Sequence, residues 1–273
     1  MSNRFSWFNA TSLTLGFAFL YLPILILVIY SFNESKLVTV WAGFSTKWYG
    51  EIWHNQGFRD AAVVTLKVAL LSSTLATILG TMAAYVLVRG GRFMGRTLFS
   101  GMIYAPLVVP DVITGLSLLL LFISIGMDRG VTTIVLAHGT FAMCYVSVVV
   151  SSRLVSFDRS LEEAALDLGC SPWDAFRSVT LPIIAPAVIS GWLLAFTLSL
   201  DDLVIASFAS GPGATTLPMK IFSQVRLGVS PEINALSTIL IGIVTLGVVT
   251  SSLMSKRAKV RRRRQEQEAL ANR

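Results

Sequence analysis

Apolar residues in this chain come in long blocks rather than alternating with polar ones. The blocks lie at approximately 13–32, 62–88, 98–124, 131–154, 181–209 and 233–254. A bilayer core of roughly 30 Å takes about 20 residues of α-helix, so the pattern predicts an all-α membrane protein of six transmembrane helices with both ends on one side. The first block is followed by "NESKLVTVWAGFSTKWYGEIWHNQGFRD", whose Trp and Tyr rings suit the outer membrane–water interface. Residues 1–60 are therefore set apart as a helix with an external segment. Residues 61–255 form the expected core, and 256–273 a basic tail.

The most polar interruption of the core, 158–180, is too charged to span a bilayer and so lies in water. Ser160 with Glu163 has the S-x-x-E form of a capping box, and Leu161, Ala164, Ala165 and Leu168 recur at helical spacing. The pattern predicts a short helix with one apolar stripe. Gly169 is placed to end it in a left-handed turn. Ser171 can then cap a second short helix, with Pro172 at its first position and Asp174 in its first turn. Leu181-Pro182 begins the next span. An ordinary inter-span loop is the plain alternative, but such loops seldom combine caps, stripe and glycine. The small residues Ala164, Ala165 and Gly169 admit close approach by another surface.

Composition agrees with a membrane chain: 54% of residues are hydrophobic and 14% charged, with mean hydropathy +0.70, against roughly 25% charged in soluble domains. The net charge of +7 invites a nucleic-acid reading, but the distribution of the basic residues opposes it. Arg4, Arg89, Arg92, Arg96, Arg153, Arg159, Arg177 and the tail "KRAKVRRRR" fall on one side. Only Lys36, Lys47, Arg59, Arg129, Lys220 and Arg226 fall on the other, which places both termini in the cytoplasm. The tail has no interleaved aromatics, so it reads as an anchor to lipid headgroups rather than a nucleic-acid site. Without an Ala-x-Ala cleavage pattern, residues 13–32 read as a retained helix. Lys67, early in the second span, can snorkel to the outer surface.

Cys144, within a span, and Cys170, in the polar loop, set no disulfide framework. His54 and His138 lack a second ligand at helical spacing, so no metal site is expected. There is no internal repeat of the kind found in duplicated secondary transporters. A Walker-type phosphate loop is also missing, so any ATP hydrolysis belongs to another chain.

Three acids fall inside the apolar blocks. "YAPLVVPDVITG" puts Pro106, Pro110, Asp111 and Gly115 near the middle of the third block. Counted along a straight helix, Asp111 is roughly 20 Å deep, and Tyr104, seven residues earlier, shares its face. "LSLDDLVIASF" in the fifth block holds Asp201 and Asp202. A carboxylate at mid-bilayer costs at least about 2.5 kcal/mol, so such acids face a cavity or a partner. Adjacent positions point about 100° apart, so both face one path only if the helix unwinds there. The alternative for each is a protonated or hydrogen-bonded packing residue. Paired carboxylates also admit an intramembrane aspartyl protease, but no G-x-G-D motif accompanies them. The protease reading also leaves the capped loop unexplained, and a stand-alone cation channel, the third reading, requires that the purified chain alone conduct in liposomes.

At the polar loop the sequence resembles a known family. "EEAALDLGCSPWDAFRSVTLPIIAPAVISG" is similar to the EAA loop of type I ABC importer permeases, through Glu163-Ala164-Ala165, Gly169, Phe176, Val179, Leu181-Pro182, Pro186 and Gly191. The fit covers about thirty residues, and the order of spans extends it through roughly 61–255. The resemblance implies the type I importer permease fold in a bacterial inner membrane. It also implies a coupling helix that docks on a cytoplasmic ATPase through Glu163, Ala164, Ala165, Asp167 and Gly169. Further stretches, "PLVVPDVITGLSLLLLF", "GWLLAFTLSLDDLVIASFASGPGATTLP" and "VSPEINALST", resemble the polyamine importers, and among them the second permease subunit of putrescine systems. In that family two non-identical permease subunits bind two copies of an ATPase, which holds the ATP and Mg, and a periplasmic polyamine-binding protein delivers the cargo. No cofactor is expected in this chain. A diamine wants carboxylates for its ammonium heads and aromatic faces for cation–π contact, which Asp111, Asp201, Asp202 and Tyr104 offer to a substrate path. The alternative cargo is another small cationic or organic solute.

Overall fold

The structure, a computed structural model, describes residues 7–37, 40–228, 230–246 and 249–250. Among these the chain is helical, with no strand beyond an isolated bridge between Asn33 and Phe44. It divides into two compact units, one of residues 1–56 with 223–273 and the other of residues 57–222.

In the first unit, α1 (Trp7–Tyr30) buries none of its residues. Apolar side chains surround it, as on a helix that meets lipid on all sides. The polar segment after it is knotted around Asn33, whose Nδ2 donates to the Val40 carbonyl at 2.7 Å while Oδ1 accepts from the amides of Ala42 and Ser35. Trp48 of α2 (Lys47–His54) donates its indole N–H to the Asn33 carbonyl at 2.7 Å. One buried side chain thus satisfies the backbone of a turn that would otherwise lose water. The apolar helix Pro231–Leu246 contains the start of the sixth block, which runs on past the described residues. Arg4 and the basic tail lie outside them.

The second unit contains α3 (Gln56–Arg89), α4 (Arg96–Tyr104), α5 (Asp111–Ser124), α6 (Val131–Ser156), α7 (Ser160–Asp167), α8 (Pro172–Ala175), α9 (Leu181–Asp201), α10 (Val204–Ala209) and the start of α11 (Leu217–Leu227). α6 is its axis. One half of α6 packs Ile134 and Ala137 with Val68, Phe122, Ile205 and Ala206. The other packs Val146, Val150 and Leu154 with Ala76, Ala84, Ile184 and Ala195. Lipid is as apolar as these side chains, so close packing of small residues holds the helices together. At Gly80 an added Cβ would come within 2.7 Å of the Met143 carbonyl and 2.8 Å of Val146 Cβ.

Among the described residues four helical stretches, Trp7–Tyr30, Gln56–Arg89, Val131–Ser156 and Pro172–Asp201, are long and apolar enough to cross a bilayer. The third block of the sequence departs from the straight helix expected of it. Arg96–Leu107 and Asp111–Ser124 meet at 114°. A 3₁₀ turn at Ala105–Leu107 takes in Pro106, and Pro110 is extended at φ −57°, ψ 140°. Pro110 brings no amide hydrogen, and its ring disfavours helical backbone at Val109, so the chain breaks where both effects coincide. Tyr104 and Asp111 therefore lie on different helices. The shared face and the depth counted along one rod do not hold.

Candidate functional site

The polar loop folds into a short double helix with a defined cap at each turn. Its first cap differs from the expected one. Ser160 is the first residue of α7 rather than its cap, and its amide donates to Asp158 Oδ1 at 3.0 Å. The hydrogen bonds from Ser160 hold the exposed Asp158 carboxyl below its ordinary range. Glu163 is consequently free of a capping role and pairs with Arg159 at 3.1 Å on the surface. At the other end Gly169 sits at φ +86°. Its amide donates to the Leu166 carbonyl and that of Cys170 to the Ala165 carbonyl, the paired bonds of a Schellman turn. Ser171 Oγ accepts from the Asp174 amide at 3.2 Å, with Pro172 opening α8. A wider π turn at Phe176–Thr180 then runs into α9.

The apolar stripe points outward. α7 buries Glu162 and Ala165, while Leu161 and Ala164 are exposed and Leu168 is 87% exposed. The charge that periodicity would leave in water goes inward because two partners await it. Arg89 Nε at the end of α3 lies 3.0 Å from Glu162 Oε2, and Thr180 Oγ1 donates to Oε1 at 2.7 Å. With Glu162 held inside, the helix turns Leu161, Ala164 and Leu168 outward among its remaining acids. Glu163, Ala164, Asp167 and Gly169 are exposed on it; Ala165 faces in. Trp173 stands beside them over a groove of 320 Å³ lined by Met82, Tyr85, Val86, Pro172 and Phe176. Glu162 was not marked by the sequence pattern. Its signal is a second acid directly before the Glu-Ala-Ala, with an arginine closing an apolar span.

The acids of the fifth block separate at a break. α9 ends at Asp201, and Asp202 is extended at ψ 125°, so the helix does unwind where both acids would need it to face one path, yet the two side chains take different surroundings. Asp202 turns inward: Oδ1 accepts from the Ala206 amide at 2.7 Å and lies 3.1 Å from His138 Nε2. His138 Nδ1 is 2.7 Å from Ser199 Oγ, which Ser72 Oγ approaches to 3.0 Å. One neutral tautomer satisfies the whole chain, with Ser72 donating to Ser199, Ser199 to Nδ1, and Nε2–H to Asp202. Asp201 remains exposed, as does Asp111 in the first turn of α5, while Tyr104 is half-buried against Ala83, Leu87 and Ile103. Among the described residues no three His, Cys, Asp or Glu side chains gather as metal ligands. Cys144 is buried and Cys170 exposed, both free.

Residues 76–265 match the family described as the binding-protein-dependent transport system inner membrane component. The putrescine transport system permease protein PotI of Escherichia coli K12 is 61% identical over 256 residues, covering 91% of each chain. The spermidine/putrescine transport system permease protein PotC of the same strain is 43% identical over 244 residues, covering 89% of this chain and 92% of its own. Among solved structures, a bacterial ABC transporter involved in the import of the acidic polysaccharide alginate superposes with a TM-score of 0.73 at 18% identity, over 92% of this chain and 98% of that one.

Proposed function

The chain belongs to the family of binding-protein-dependent transport system inner membrane components, and on that premise we propose that it is one of two unlike permease subunits of an ATP-driven importer of polyamines, with putrescine as cargo. It is a transport subunit of the inner membrane and not an enzyme. Hydrolysis falls to a cytoplasmic ATPase dimer, which holds the ATP and Mg, and a periplasmic polyamine-binding protein delivers the cargo. Both termini lie in the cytoplasm, and residues 233–254 complete a sixth span. Residues 1–60 flank a permease core of 61–255.

The observation that carries this reading is the capped loop of Asp158 to Thr180, which buries Glu162 and turns its apolar stripe outward. A monomeric soluble surface has no use for such a face, whereas a groove on an ATPase buries it. The cargo follows from the relatives: the putrescine transport system permease protein PotI is 61% identical over 91% of this chain. Spermidine is the second reading, supported by the likeness to PotC.

In the path, Asp201 and Asp111 supply exposed carboxylates at broken helix ends, and Tyr104 supplies an aromatic face. An ammonium about 4 Å from a carboxylate gains roughly 4 kcal/mol at an effective dielectric near 20, before desolvation. That is enough to draw the cation in without trapping it.

The test is uptake of labelled putrescine by proteoliposomes holding both permeases, the ATPase and saturating binding protein. ATP-dependent accumulation that excess spermidine competes weakly is expected. Accumulation without ATP, or none with it, overturns the reading.

A further inference from the structure

We infer that Glu162, held by Arg89 and Thr180, is the positioning residue through which movement of α7 is passed to the second and fifth spans. This rests on the reading of α7 as the ATPase-docking helix. Three elements converge on the Glu162 side chain: Arg89 is the last residue of α3, Thr180 the last of the π turn before α9, and Glu162 itself lies in the first turn of α7. Arg89 also donates from Nη2 to the Phe157 carbonyl at 3.3 Å, with its guanidinium carbon 5.5 Å from the Phe157 ring centre. The end of α6 is thereby tied in.

The two charged side chains are 12% and 10% exposed. The Nε–H of Arg89 makes no aligned hydrogen bond, so that contact is ionic. A buried ion pair adds little stability over an apolar packing of the same volume, yet it fixes register, because either charge left alone is strongly unfavourable. Glu162 carries the ion pair and the hydrogen bond that run from an α7 side chain to Arg89 and Thr180. Glu163 pairs with Arg159 in solvent, and Asp167 and Gly169 are exposed. From Arg89 the connection continues. Arg96 donates from Nη2 to the Leu87 carbonyl at 2.7 Å and from Nη1 to the Gly91 carbonyl at 2.8 Å, stapling the end of α3 to the start of α4. α4 leads to the break that carries Asp111. A push on α7 is thus delivered through Glu162 to α9 on one side and to α3 and α4 on the other.

The experiment uses the complete importer in proteoliposomes and reads putrescine transported per ATP hydrolysed. Three variants are compared: Glu162→Gln, Arg89→Gln, and the two together, in which no buried charge is left unpaired. The expected result is assembled complexes that hydrolyse ATP near the wild-type rate with the transport ratio lowered roughly tenfold, and a double variant no worse than either single one. A double variant with the wild-type ratio overturns the inference. So does a proportional fall of uptake and ATPase, or loss of assembly by the double variant, since each marks a purely structural pair. A wild-type complex that hydrolyses ATP without moving putrescine tells instead against the functional reading on which the inference rests.

Discussion

His138 Nε2 lies 3.1 Å from Asp202 Oδ1, across the point where α9 stops and α10 begins. The same carboxylate oxygen accepts the Ala206 amide, so one side chain caps the second helix and anchors the break to α6. The contact separates two acids that are neighbours in sequence: Asp202 becomes part of the scaffold, and Asp201 is left facing outward.

Asp202→Ala leaves His138 Nε2 and the Ala206 amide without their Asp202 partner, and the cost of such buried orphans is about 1–3 kcal/mol. The purified complex should melt at a lower temperature. Asp201→Asn should melt like the wild type but slow putrescine uptake roughly tenfold, as loss of a favourable charge contact predicts. The opposite assignment of the two phenotypes would reverse their roles.

At Gly169 the constraint is the backbone alone, because φ is +86° and an added Cβ meets nothing within 4 Å. Gly169→Val opposes the left-handed turn by about 1–2 kcal/mol and displaces α8 relative to α7. Substrate-stimulated ATPase and uptake should fall together, with insertion unaffected. Asn tolerates this conformation, so Gly169→Asn should recover much of the activity. Equal loss with Val and Asn would move the cause from conformation to the docking surface.

At Gly80 the constraint is space. Gly80→Ala drives a methyl into the Met143 carbonyl, 2.7 Å away, and overpacking of this kind costs typically about 1–3 kcal/mol. Thermal denaturation in detergent should shift downward without a change in transport per ATP at low temperature. An unchanged melting curve would mean that α3 and α6 are not closely packed there.

Orientation is open to direct labelling. Cys170 is exposed and Cys144 buried, so an impermeant maleimide should modify Cys170 in inside-out vesicles and not in intact spheroplasts. Added ATPase should protect it. Ser45→Cys should behave in the reverse manner and Ser255→Cys like Cys170. Labelling of Cys170 from the outside would invert the topology and remove the coupling role from the loop.

The long apolar blocks determine the membrane, the helical class and the number of candidate spans, because a bilayer imposes length and polarity on any segment that crosses it. Local chemistry in sequence also determines the turn at Gly169 and the cap at Ser171, since both depend on residues within a few positions. What lies beyond a few positions was not legible. The S-x-x-E pattern assigned Glu163 to a cap and periodicity gave α7 an apolar stripe, but neither pointed to Glu162, which goes inward because Arg89 and Thr180, 73 and 18 positions away, are there to receive it. The straight-rod reading put Tyr104 with Asp111, but the two prolines act together only once the chain has somewhere to turn. His138, passed over for want of a nearby ligand, meets Asp202 from 64 positions away. A buried charge is decided by the partners that folding brings to it, and a lone sequence does not state those distances.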